Sequence, residues 1–193
     1  MPFIPMSIPG AFVFEPVRFS DARGRFQENF KLSSLESELG ISFTVKQMNQ
    51  SVSAKGVIRG IHFADNPPGQ AKYVSCPMGN VWDVVVDLRQ NSETFGKWEG
   101  VELSETNGKS VLISAGLGHG FLALEEDSVV NYLCSEEYQP EREHRVNPLD
   151  QTLGIDFSRI GELAGIAEFV LSEEDRIAPS LQEAQEMGTL PRF

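Results

Sequence analysis

Val81-Trp82-Asp83-Val84-Val85-Val86-Asp87-Leu88 alternates along a strand. Trp82, Val84, Val86 and Leu88 share one side; Val81, Asp83, Val85 and Asp87 share the other. β-branched residues dominate the run, which favours an extended backbone. Working outward, further strands are expected at 43–48, 57–63, 72–76, 98–103, 110–114, 120–124 and 129–134. Turn-rich pieces at 65–69, 77–80, 91–96, 105–108 and 125–128 separate them. Many short strands at this spacing predict a β-sandwich or barrel. Helices are expected only near the ends. Ser33-Ser34-Leu35-Glu36 resembles a capping box, with Gly40 as the stop. Ser172-Glu173-Glu174-Asp175 reads as a cap with acids in the first turn, and Pro179 to Gly188 as a second helix. The pattern is an all-β core with short terminal helices.

Composition sets the class. The chain has 193 residues, 40% hydrophobic and 23% charged, enough for one domain with a full core. We read 1–193 as that domain, with its core at about 40–157 and a helical tail at about 170–190. A formal net charge of −12 argues against nucleic-acid binding, which needs a basic surface. An anionic small ligand is still compatible, because local arginines can hold phosphate inside an acidic protein. Cys76 and Cys134 lie in apolar strand windows and read as buried thiols, although spacing leaves a disulfide open. No window is long and apolar enough for a membrane span. Prolines at 2, 5 and 9 interrupt the apolar start, which also lacks a basic n-region. A cytoplasmic location is the default expectation.

One window carries chemistry. Val57-Ile58-Arg59-Gly60-Ile61-His62-Phe63, followed by Pro67-Pro68-Gly69-Gln70-Ala71-Lys72, puts an arginine, a histidine and a lysine on or beside an apolar strand. Arg59 can pair with an anion, His62 can act as a base near neutral pH, and Lys72 can stabilise negative charge. An enzyme acting on a phosphorylated substrate with an acidic C–H bond would use all three. A sheet edge with solvated charges would also contain them. Strict alternation places Arg59 and His62 on opposite faces, so both serve one pocket only if the strand bulges, which Gly60 permits.

Ordered pieces through most of the chain extend the reading. They include Asp21-Ala22-Arg23-Gly24-Arg25-Phe26, Gln47-Met48-Asn49, Arg59-Gly60-Ile61-His62-Phe63, Gln70-Ala71-Lys72, Thr94-Phe95-Gly96-Lys97-Trp98, Gly118-His119-Gly120-Phe121, Tyr138-Gln139-Pro140 and Pro148-Leu149-Asp150. Together they resemble the dTDP-4-dehydrorhamnose 3,5-epimerase family. Gly60–Asp65, Pro67–Val74 and the Arg145–Asp150 stretch lean toward its antibiotic-deoxysugar branch. The resemblance implies a cupin-type β jelly roll, a homodimer, and a dTDP-4-keto-6-deoxyhexose substrate, with no metal or redox cofactor. No glycine-rich dinucleotide fingerprint follows a strand.

The resemblance also implies roles. His62 is the base, oriented by Asp150. Tyr132 is the acid on the opposite face. Lys72 holds the C4 oxygen, and His119 supports the pocket. Arg23, Glu28, Gln47, Asn49 and Arg59 match nucleotide-binding positions, with Tyr138 packing on the thymine. Each residue has a plainer use in isolation: Asp150 as a turn cap, Tyr132 as a core tyrosine with its hydroxyl at the rim, and Lys72 as an edge lysine. Three rivals remain. A 3,4-ketoisomerase would act on the same substrate class. A metal-dependent cupin would need more histidines in the first window than His62 supplies, and His144 lies in a charged loop expected to be solvated. A non-catalytic nucleotide-sugar-binding cupin could keep the arginines.

Overall fold

The computed structural model describes residues 3–192, so Pro2 lies outside the described residues. Strands β1 (Phe3–Pro5), β2 (Ala11–Phe14), β3 (Arg18–Asp21) and β4 (Gly24–Gln27) precede helix α1 (Leu32–Leu39). Then come β5 (Gln47–Ser53), β6 (Ile58–Ala64), β7 (Lys72–Met78), β8 (Asn80–Asp87), β9 (Trp98–Ser104), β10 (Ser110–Ile113), β11 (Leu117–Ala123), β12 (Ser128–Cys134) and β13 (Glu143–Arg145). Helices α2 (Phe157–Leu163), α3 (Glu173–Arg176) and α4 (Leu181–Met187) follow. A six-stranded sheet has the order β1-β2-β10-β7-β12-β5, and a five-stranded sheet β13-β6-β11-β8-β9. Strands β3 and β4 form a separate hairpin. The fold is predominantly β, as the strand spacing predicts, with sheets that do not close into a barrel.

Alternation along β8 explains the layering. Val81 and Val85 pack with Val74, Val111 and Val130 of the facing sheet. Trp82, Val84, Val86 and Leu88 point the other way, onto Phe157, Ala184 and Leu190 from the carboxy-terminal segment. The Trp82 and Phe157 rings meet edge-on, 5.4 Å apart. Both faces of the strand are therefore buried, because both are covered. Asp83 and Asp87 share the inner face and are fully buried. Asp87 is satisfied by Arg89, Ser92 and Thr94. Its carboxyl is held below the ordinary range, because these hydrogen bonds outweigh burial, which alone would raise it.

The expected strand at 43–48 is displaced. Ladder pairing runs over Gln47–Ser53, while Phe43 is buried with Leu35, Phe14, Tyr73 and Leu112 on the outer face of the six-stranded sheet. Strands β1 to β4 were not expected, since Pro5, Pro9 and Pro16 break their pattern. Helix α1 begins at Leu32 behind Lys31 and has no side-chain cap, so the Ser33 box does not form; Gly40 ends it as expected, at φ 66°. Ser172 caps α3, and Ser180 with Glu183 forms a full capping box on α4, ended by Gly188. Cys76 and Cys134 are buried free thiols. Among the described residues, no helix is long and apolar enough to cross a membrane.

Candidate active site

The site forms at one end of the space between the two sheets. A pocket of about 100 Å³ is lined by Asn49, His62, Gln70, Lys72, Tyr132, Tyr138, Glu143, His144 and Arg145. Strands β5, β7 and β12 supply one wall, β6 and β13 the other.

A bulge in β6 decides which side chains face it. His62 pairs with His119 on β11, and Arg59 pairs with Phe121. Two steps on β11 therefore oppose three on β6, which brings Arg59 and His62 to the same face. Gly60 makes this possible. Its φ is +129°, and a Cβ there would stand 2.5 Å from the Gly120 Cα. Arg59 reaches across to β5, donating to the Ser53 hydroxyl at 3.1 Å and the Val52 carbonyl at 3.3 Å.

His62 is oriented by Asp175, not Asp150. Its Nε2 lies 2.7 Å from Asp175 Oδ1. The carboxylate also accepts from the Gly60 N–H at 3.4 Å. Ser172 Oγ in turn accepts from the Asp175 N–H, fixing the turn that carries it. Asp150 is occupied elsewhere. One of its oxygens accepts from the Thr152 N–H and the other from the Leu181 N–H at 2.8 Å, tying a turn to the start of α4. The turn-capping use of Asp150 is thus the one observed. From sequence Asp175 is legible only as a helix-start acid, because nothing local shows that the tail folds back onto β6.

Electrostatics suit a base. Burial pushes the His62 imidazole below its ordinary value; Asp175 opposes this, while Lys72 and Arg145 add to it. Burial alone would raise the Asp175 carboxyl, but hydrogen bonds and charge from His62, Gly60 and Arg145 hold it below the usual range. It is therefore ionised where His62 titrates. Lys72 points inward and is buried, as its sharing a face with Val74 and Cys76 predicts. Desolvation lowers its ammonium, partly offset by Glu143, Cys134 and Asp83. The Tyr132 phenol is raised by burial, against a lowering from Arg59.

His119, opposite His62 on β11, is buried, with Nε2 2.7 Å from Asp83 Oδ2. Asp83 Oδ1 has no hydrogen-bond partner, and its charge acts on Lys72. Gln47 donates to Asn49 at 2.7 Å and accepts from the Tyr138 N–H at 2.8 Å, which ties the Tyr138 backbone to β5. His144 departs from expectation. It is not solvated but lines the pocket, paired with Asp65 at 2.6 Å and packed against Phe63. Arg23 and Glu28 do not line the pocket. Arg23 is exposed at the hairpin tip, bound to Asp21, and Glu28 lies 4.0 Å from Lys31. Asp175, Arg145, Gln70 and Glu143 are the functional candidates not singled out from sequence.

Comparisons with known proteins find relatives over nearly the whole chain. The chain is 50% identical over 188 residues to a dTDP-4-dehydrorhamnose 3,5-epimerase of Mycolicibacterium smegmatis, covering 97% of this chain and 90% of that one. The rmlC epimerase structure of Mycobacterium tuberculosis superposes with a TM-score of 0.95 at 44% identity, covering 100% of this chain and 94% of that one. The 3'-monoepimerase ChmJ of Streptomyces bikiniensis, solved with dTDP-quinovose, gives a TM-score of 0.91 at 47% identity, covering 97% and 92%. Identities to the two kinds of epimerase are similar, so overall likeness does not separate the branches. The family model described as dTDP-4-dehydrorhamnose 3,5-epimerase matches residues 5–183, and the chain belongs to that family.

Proposed function

We infer that the chain epimerises a dTDP-4-keto-6-deoxyhexose at C3, C5 or both, without a cofactor. The observation that carries this is the paired His62–Asp175 base facing Lys72 and Tyr132 across one pocket. Beside a ketone, a C–H bond is acidified because its electrons can pass into an enolate. His62 takes the proton, and the C–H pair becomes the new C=C bond while the C4 carbonyl π pair moves onto oxygen. Lys72 meets that charge. Tyr132 returns a proton to the opposite face, and the carbonyl re-forms. Asp175 stabilises the imidazolium formed in between. Asn49 and Tyr138 line the pocket, and the nucleotide would lie on the side where Gln47, bonded to Asn49, and Arg59, bonded to Ser53, stand outside it.

We read the two facing sheets as a cupin-type jelly roll in one domain. A homodimer fits the hairpin of β3 and β4, whose Phe19 and Phe26 are 62% and 65% exposed. In such a dimer Arg23 and Glu28 would serve the partner's pocket, which explains their distance from this one. A solution mass of one chain would remove that reading.

The test of the reaction is deuterium uptake from heavy water into dTDP-4-keto-6-deoxyglucose, followed by NMR at C3 and C5. Uptake and inversion at both carbons make the chain a 3,5-epimerase, and confinement to one makes it a mono-epimerase. Absence of uptake with dTDP still bound would favour a non-catalytic binding protein. In Tyr132→Phe, proton abstraction is expected to survive while inverted product falls about 10²-fold. Undiminished inversion would take Tyr132 out of the acid role.

A further inference from the structure

Arg145 has no part in the chemistry derived above. It stands on β13 directly opposite His62, and His62 stands opposite His119. These three side chains form one row across β13, β6 and β11. Arg145 Nε lies 3.2 Å from Asp175 Oδ1, the same oxygen that lies 2.7 Å from His62 Nε2. The carboxylate is 4% exposed and the guanidinium 41%. One buried oxygen is thus shared between a permanent cation and a titrating ring.

We propose that Arg145 is a positioning residue for the base: through the shared oxygen of Asp175 it fixes the carboxylate and keeps His62 in its neutral, proton-accepting form. The inference rests on the reading of His62 as the base.

The physical argument is competition. A carboxylate facing an imidazole alone stabilises the imidazolium and draws a proton onto the ring at rest. A guanidinium on the same oxygen takes part of that negative charge and adds a like charge beside the ring. Every other group around His62 must be counted. Asp175 on α3 favours the cation; Lys72 on β7 and Arg145 on β13 oppose it. His119 on β11 faces it in register, with its own carboxylate Asp83. Tyr132 on β12 and Glu143 and His144 on β13 complete the wall. Of the two cations acting on His62, Arg145 alone also binds its carboxylate. Lys72 is required at the C4 oxygen, so Arg145 is the cation free to set the resting state of the dyad.

The test measures deuterium uptake against pH, from about pH 5.5 to about pH 9, around the range in which an imidazole titrates. Wild type, Arg145→Gln, Arg145→Lys and His62→Ala are compared. Arg145→Gln is expected to move the acid limb to higher pH. Uptake should fall about 3- to 10-fold near pH 6 yet stay within about twofold near pH 8.5. Arg145→Lys keeps the charge and should keep the limb near its wild-type position. An unmoved limb in Arg145→Gln, with a uniform loss at all pH, would overturn the inference and leave Arg145 a packing residue, provided His62→Ala is inactive. Wild-type uptake in His62→Ala would overturn the base reading itself, and this inference with it.

Discussion

Replacing His62 with alanine is expected to lower solvent-deuterium uptake into dTDP-4-keto-6-deoxyglucose by about 10²- to 10⁴-fold. Binding of dTDP should change little, because Arg59, Asn49 and Tyr138 are untouched. The loss is this large because the pocket offers no second ring placed like His62. His119, beside it on β11, is buried and committed to Asp83. His144 is committed to Asp65. Wild-type uptake in the variant would remove His62 from the mechanism. The carboxylates provide the companion test. Asp175→Asn removes the charge that stabilises the imidazolium, and a loss of about 10²-fold or more is expected. Asp150→Ala should leave uptake nearly intact and cost about 1–2 kcal/mol of stability, through the lost contacts to Thr152 and Leu181. The opposite ordering of these two variants would return the orienting role to Asp150.

Gly60→Ala is expected to damage the fold itself. Two costs combine. At φ +129° a side chain is strained whatever the space. The new Cβ would also meet the Gly120 Cα at 2.5 Å and the His119 carbonyl at 2.9 Å, both backbone atoms of the neighbouring strand. Neither can yield without parting β6 from β11. Overpacking and strain together suggest about 3 kcal/mol or more. In a chain of this size that lowers Tm by about 6–12 °C. Thermal unfolding of the two proteins side by side checks it. An unchanged Tm would mean that the bulge tolerates a side chain. Activity should be lost more completely than stability, because a relaxed strand turns Arg59 and His62 to opposite faces.

Much of the architecture was legible because alternation reports burial. The faces of β8, the inward aim of Lys72 and the placement of Tyr132 beside Val130 all follow from counting by two. Phe43 departs from the expected strand because a lone aromatic beside a strand can pair in the ladder or plug an outer face, and periodicity does not distinguish them. The amino-terminal segment is interrupted by proline, and its strand β2 joins the six-stranded sheet only through β10, about a hundred residues later. Site residues divide the same way. Lys72 on the interior strand β7 and Asn49 on the edge strand β5 follow the local alternation, whereas His62 shares a face with Arg59 only through the bulge in β6. Asp175 lies 113 residues from its histidine, on a four-residue helix whose local chemistry is that of an ordinary cap. Asp150 sits in a turn where either use was chemically reasonable. Only the packing of the tail across β6 chose between them.

His62 and the carboxylate bonded to it thus belong to different stretches of chain, held together by the docking of the segment beyond β13. During synthesis, every pocket wall leaves the ribosome before Asp175 does. A chain caught before α3 has settled would hold an unassisted imidazole, and one that loses the whole tail would also bare the Trp82, Val84, Val86 and Leu88 face of β8. If the dyad is the base, its completion is a late step in assembly, after every wall of the pocket is in place.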